Sequence, residues 1–278
     1  MSGVDGMLSQ WWFVAAPEIV LLGLICVVLV ADLFIEAEKR AITFWLTIVT
    51  LAITLYTVFV TNPVQSVLVF DGSYVSDPLS QVLKLGAIGF VAIAFLYARD
   101  YLEANGLHKG EYYLLGLFGL LGMMIMISAN SMLTMYLGLE TLALSQYALV
   151  AIDRKNATSA ESAMKYFVLG AIASGALLYG ISWVYGVTGS LEFDQIAAAL
   201  SANPDLNSLP LWFGLAFLIV GIAFKFGGVP FHMWLPDVYQ GARSPVTLYI
   251  ASAPKLAALA LTLRILVDGL GGLHDVWD

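Results

Sequence analysis

Among the ionisable side chains within apolar stretches of this 278-residue sequence are Glu140, Lys165, Lys225, His232 and Lys255. Amines, an imidazole and a carboxylate brought together would hold and pass protons, with water filling the gaps. Lysine suits that task because desolvation and neighbouring charge shift its proton affinity by several units. Histidine titrates near neutral pH. Moving Glu140 relative to Lys225 would raise or lower the lysine's hold on its proton, which makes a switch.

The stretch FKFGGVPFHMWLPDV, residues 224–238, follows the apolar run LWFGLAFLIVGIA and puts Lys225 well inside a membrane-length segment. Pro230 has no N–H and would clash with the carbonyl of Phe226, and Gly227 and Gly228 weaken the helix before it. The helix is expected to break there, with its last carbonyls unpartnered. A cation at that end meets the negative pole of the helix dipole, and Lys225 is placed to be that cation. Pro254 should likewise loosen the last long helix near the carbonyl of Ile250, beside Lys255. Broken helices at membrane depth line water or sit within protein, and transporters use them at ion sites. His232 fits a relay between Lys225 and Lys255, or a satisfied packing residue.

Counted at 1.5 Å per residue, Glu140 in MYLGLETLALSQYAL lies roughly 14 Å below the outer surface. Lys225 lies roughly 21 Å from the outer end of its segment, and Lys255 about 14 Å from the inner end of its own. Each charge near the bilayer centre costs about 2.5–3.5 kcal/mol. Three approach 10 kcal/mol, comparable to the whole stability of about 5–15 kcal/mol of an ordinary domain. A structural Glu140–Lys225 ion pair is the alternative, but buried pairs stabilise weakly because desolvation offsets the Coulombic gain. Proton handling is the favoured reading. Lys165 follows Glu161 by one turn, so an i,i+4 pair explains it as well as a site does. Lys84 and Arg264 lie near segment ends, where long side chains snorkel to the headgroups.

The elements that must position these residues are membrane helices. The chain is 60% hydrophobic and 12% charged, against about 45–50% and about 25% in soluble domains. Segments of about 20 apolar residues fall at 17–35, 41–60, 79–98, 112–128, 131–151, 160–187, 211–240 and 246–266. The expected fold is therefore all-α, a multi-pass transmembrane bundle of about eight spans with a broken seventh. Lys39, Arg40, Arg99, Lys109, Arg154, Lys155 and Arg243 occupy loops after odd-numbered spans. The other loops and both tails hold no lysine or arginine but carry Asp5, Asp71, Asp77, Glu192, Asp194, Asp205, Asp275 and Asp278. The positive-inside rule then puts both termini outside. Trp11, Trp12, Trp212 and Trp277 fall near the outer interface and Trp234 near the inner one.

Other classes find no support. With a net charge of −8 and no basic cluster, nothing suggests nucleic acid. The lone Cys26 can form no internal disulfide, and zinc or iron–sulfur sites need several ligands. The N-terminus lacks the positive n-region of a cleavable signal peptide, so the first apolar run is expected to be a retained helix. GLFGLLG, residues 116–122, has no preceding strand and reads as close helix packing, not a dinucleotide loop. A short amphipathic helix is expected around Phe193 to Leu200, lying on the outer surface.

At these residues the sequence resembles the antiporter-like membrane subunits of respiratory complex I, shared with multisubunit Na⁺/H⁺ antiporters. The resemblance is carried by GLETLALSQYAL with Glu140, ESAMKYFVLGAIASG with Lys165, FKFGGVPFHMWLPDVYQGARSPVT with Lys225 and His232, and SAPKLAAL with Lys255. PEIVLLGLICVVLVADLF and VFDGSYVSDPLSQVLKL are more specifically similar to the subunit N members from bacterial NADH–quinone oxidoreductase.

The resemblance implies a proton-translocating subunit of that translocase, in the bacterial inner (plasma) membrane with its N-terminus periplasmic. It implies two inverted five-helix repeats, each with a broken helix, and a polar axis of residues matching Glu140, Lys165, Lys225, His232 and Lys255. Residues 1–110 would be three N-terminal helices, 111–268 the first repeat and 269–278 a tail. The family continues through a second repeat with another key lysine, so this chain is expected to be a fragment or truncated product. NADH, FMN, iron–sulfur clusters and quinone would be bound by partner subunits, leaving this chain with no cofactor, no metal and no redox chemistry. Its partners would be other membrane-arm subunits, neighbouring antiporter-like ones included, and the lipid bilayer. Rival readings are a subunit of a cation/proton antiporter working without NADH, and a non-pumping scaffold fragment.

Overall fold

The computed structural model describes residues 12–36, 39–61 and 66–273. Asp5, Trp11, Asp275, Trp277 and Asp278 lie outside the described residues. The fold is an all-α membrane bundle with one small hairpin. Helices α1 (Ala16–Phe34) and α2 (Ala41–Val60) precede two short antiparallel strands, β1 (Val67–Val69) and β2 (Tyr74–Ser76). Then come α3 (Pro78–Ala104), α4 (Gly110–Ile127), α5 (Met132–Val150) and α6 (Ala157–Thr188). The short α7 (Phe193–Ala202) leads to α8 (Leu209–Phe226), α9 (Trp234–Gly241), α10 (Ser244–Ala251) and α11 (Ala253–Thr262), which runs into a π-helical segment, Leu263–Gly269.

Local chemistry explains the boundaries. Asp77 and Ser80 form a reciprocal cap that starts α3, satisfying donors a helix start leaves free. Asn156 accepts from the N–H groups of Thr158 and Ser159 at the start of α6. Among the described residues, seven helices are long and apolar enough to cross a membrane, counting Ser244–Gly269 as one. The remaining expected span is α5, 19 residues long, or about 28 Å. It is less apolar because it carries Glu140, Thr141, Ser145 and Gln146. The seventh expected span breaks after Phe226, and the eighth is interrupted at Ser252 beside Pro254. The amphipathic piece is α7, which buries Phe193, Ile196 and Leu200 and packs on the π-helical segment.

Helix α4 is the hub, burying Tyr112, Tyr113, Leu117, Leu120, Met123 and Met124. Its glycines let neighbours approach. A Cβ on Gly122 would lie 2.6 Å from the Gly138 carbonyl oxygen and 2.6 Å from the Leu142 backbone nitrogen. GLFGLLG is thus a packing motif. Gly122→Val is expected to destabilise the chain by about 3 kcal/mol, because the obstacle is backbone and the helices must separate. Gly175→Val, on an exposed helix face with nothing within 4 Å, should leave the unfolding midpoint in detergent unchanged.

Two expectations fail in this part of the fold. Lys84 and Arg264 do not snorkel; they are 3% and 5% exposed. Lys84 Nζ sits 2.6 Å from Glu18 Oε1 and donates to the Tyr74 hydroxyl, which donates to Glu18 Oε2. Arg264 donates to both Asp77 oxygens at 2.8 Å and to Asp268 at 2.9 Å. A carboxylate on another segment offsets each desolvated charge, so neither side chain has to reach water.

Burial pushes the Asp77 carboxyl up, but the Ser80 backbone N–H and the Arg264 guanidinium outweigh burial and hold it below the usual carboxylate range. A depressed folded value means the unfolded chain takes up the proton first as pH falls. The pair's contribution is complete above about pH 4 and is lost as pH falls through the lower folded value. Asp77→Asn should remove that acid-dependent part of the unfolding midpoint and lower the midpoint at neutral pH.

Candidate functional site

The break after α8 is built around four carbonyls. Gly227 takes φ 74°, a left-handed conformation that suits glycine. Its N–H donates to Phe224 O at 3.0 Å, and the Gly228 N–H donates to Ala223 O at 2.8 Å. This is the double turn that commonly closes helices. Trp234 Nε1 also donates to Phe224 O, at 3.0 Å. Lys255 Nζ donates to Lys225 O at 2.8 Å and Phe226 O at 3.1 Å. All four terminal acceptors are satisfied, as burial demands.

The cation at the negative pole is therefore Lys255, not Lys225. The physical reason is direction: helical side chains lean toward the N-terminus, so Lys225 points away from the carbonyls at its own end. Lys255 comes from a second interrupted helix and meets those carbonyls head-on. Its ammonium also lies 5.4 Å from the centre of the Trp234 ring. Trp234 stacks on Tyr166, with centroids 4.8 Å apart and planes 14° apart, and leans on Phe224. It is 2% exposed, so the structure removes it from the inner aromatic belt. Trp212 remains exposed, donating to Asn207.

Lys225 Nζ is buried without a hydrogen-bond partner, and so is Glu140 Oε1. Neither atom bonds the other, so no Glu140–Lys225 ion pair closes. Lys225, Lys255, Gln146, Tyr166 and Trp234 line a cavity of about 20 Å³. One water needs about 10–15 Å³ and several polar partners, and this wall supplies them. Tyr166 donates to Gln146 Oε1 at 2.8 Å, and Gln146 Nε2 is buried and unpartnered. Two amines, an amide and a phenol thus surround a water-sized space.

Lys165 is elsewhere. It is half-exposed, 2.8 Å from Glu161 and 3.3 Å from Asp237, so it ties α6 to α9 and does not line the cavity. His232 lies in the turn between α8 and α9 with Nδ1 buried and unpartnered, and no hydrogen bond links it to either central lysine. Sequence reasoning missed Gln146, Tyr166, Asp237 and the role of Trp234. Gln146 lies in the same helix as Glu140, and Tyr166 follows Lys165, which were the available signals.

Lys255→Met should leave the Lys225 and Phe226 carbonyls without the ammonium donor that now bonds them. Bonds from a charged donor are worth about 1.5–3 kcal/mol each. Amide exchange at Gly227, Gly228 and Phe231 is expected to accelerate at least tenfold, while Lys255→Arg retains most of the protection. Unchanged exchange would mean that Lys255 does not hold the break.

Such a bundle, with one long helix broken after Phe226 and a second interrupted at Ser252, belongs to the class of polytopic membrane proteins with interrupted helices. The family model for NADH:quinone oxidoreductase/Mrp antiporter transmembrane proteins matches residues 129–273, just over half of the chain. The chain belongs to this family. It is 52% identical over 263 residues to NADH-quinone oxidoreductase subunit N of Thioalkalivibrio sulfidiphilus, covering 94% of this chain and 55% of that one. It is also 52% identical over 264 residues to subunit N of Alkalilimnicola ehrlichii, covering 95% and 54%. A solved chain in respiratory complex I from Thermus thermophilus with bound aureothin superposes with TM-score 0.73 at 32% identity, covering 89% of this chain and 52% of that one. A chain in the Mrp complex from a Dietzia species shares the fold, with TM-score 0.71 at 22% identity over 95% and 49%. The chain spans about half the length of the relatives it matches.

Proposed function

We propose that this chain acts in a membrane-arm subunit of a proton-translocating NADH–quinone oxidoreductase of the bacterial inner membrane, with its N-terminus periplasmic. The names of the relatives support this reading. The observation that carries it is a buried, unpartnered Lys225 amine beside a water-sized cavity, under a helix break held by Lys255. Residues 1–110 act as a supporting three-helix unit and 111–268 as the translocating repeat. Within that repeat, Lys225 is the group that gains and loses the proton. Glu140 biases it electrostatically, Lys255 shares the cavity, and His232 and Lys165 lie toward the basic side as the approach. NADH oxidation, flavin and iron–sulfur electron transfer and quinone reduction belong to partner subunits. Neighbouring membrane subunits deliver that energy by changing the charge near Lys225.

The rival cation/proton antiporter needs sodium and no NADH. Proton uptake by inside-out vesicles containing the native complex should require NADH and proceed equally with sodium or potassium. Sodium-driven proton movement without NADH would overturn the proposal.

A further inference from the structure

A cleft opens between α1, α4 and α5, and it shares no lining residue with the cavity at the helix break. It holds about 440 Å³. Its walls are apolar, with Leu29 from α1, Leu114 and Phe118 from α4 and Ala148 from α5, while Glu111 and Arg154 stand at its mouth. From Glu111 to Phe118 it descends seven residues of helix, about 10 Å.

Size decides what fits. A helix about 10 Å across would displace roughly 800 Å³ over that depth, nearly twice what the cleft holds. A single acyl chain is thinner and needs no backbone hydrogen bonds inside it.

Charge decides which lipid. Arg154 is exposed at the mouth, exposed Lys155 follows it in the chain, and Lys109 caps the start of α4 beside Glu111. Against these three cations stand Glu111, 3.4 Å from Arg154, and Asp153, already held by Arg243. The Arg154–Glu111 pair is long and solvent-exposed, 76% and 51% by side chain, a kind that contributes little. A phosphate can displace it, because a guanidinium binds phosphate through two parallel bonds. Basic pockets between membrane helices at the cytoplasmic face are suited to anionic headgroups.

We propose that this cleft binds an anionic phospholipid of the inner leaflet, its acyl chain between α1, α4 and α5 and its phosphate on Arg154, with Lys155 and Lys109 alongside. The test uses the native membrane complex in vesicles of phosphatidylcholine containing a trace of photoactivatable phosphatidylglycerol or photoactivatable phosphatidylcholine. Labelling of peptides covering residues 110–122 and 146–156 should favour phosphatidylglycerol by about tenfold, the effect of about 1.4 kcal/mol. Arg154→Gln should erase that preference. Ala148→Trp, which fills the cleft from an exposed position, should remove labelling by both lipids with the unfolding midpoint unchanged. Equal labelling by the two lipids, or a preference untouched by Arg154→Gln, would overturn the proposal. So would labelling that appears only when neighbouring subunits are stripped away, since a protein surface would then be the natural occupant.

Discussion

Replacing Glu18 with alanine is expected to cost about 3–5 kcal/mol of stability, the penalty for leaving one partner of a buried ion pair uncompensated. The side chains of Lys84 and Glu18 are only 4% and 9% exposed. Without Glu18, Lys84 keeps only the Tyr74 hydroxyl, a neutral acceptor at 2.9 Å. Lys84→Met should cost less, because Glu18 still accepts from that hydroxyl at 2.8 Å. The double change Glu18→Ala, Lys84→Met should recover part of the loss, since no charge then stays buried. The triad joins α1, α3 and the hairpin, and the hairpin is tied onward by Val75 N–H to Ser128 O at 2.8 Å. Unfolding in detergent of the four proteins, read as a double-mutant cycle, checks this. A loss under about 1 kcal/mol for Glu18→Ala would show that water reaches the pair.

A single segment reveals its own local properties and not its partners. Spans, the break at Gly227–Gly228, the interruption beside Pro254 and the amphipathic α7 are local properties, and they were legible. Partners across the fold were not. Arg264 and Asp77 are 187 residues apart in sequence, so counting depth along one helix treats each charge as solitary and sends it to the headgroups. The same blindness reversed the roles of Lys225 and Lys255. From α8 alone, Lys225 is the nearest cation to the exposed carbonyls; only packing against α11 brings Lys255 there. Trp234 misled because tryptophan near a segment end fits an interfacial belt as well as a stacked core. In the candidate site the amines and Glu140 stood out because charge in an apolar run is conspicuous. Gln146 and Tyr166, uncharged, raised no such signal.

The second large effect falls on Lys225 and separates function from stability. An ammonium buried without a hydrogen-bond partner opposes folding, so Lys225→Met should leave the complex assembled and its unfolding midpoint unchanged or raised. A residue kept only for structure would behave in the opposite way. The Lys225 amine lines the water-sized cavity, and no neighbour is free to replace it when it is removed. Lys255 is committed to two carbonyls, and Tyr166 to Gln146.

The most direct measurement is NADH-driven proton uptake by inside-out membrane vesicles, wild type against Lys225→Met, with assembly of the complex followed on a native gel. The account predicts normal assembly, with proton uptake and NADH–quinone turnover falling together by at least about tenfold, a barrier change of about 1.4 kcal/mol or more. Uptake and turnover both unchanged in an assembled complex would contradict it, and Lys225 would then have no part in moving protons.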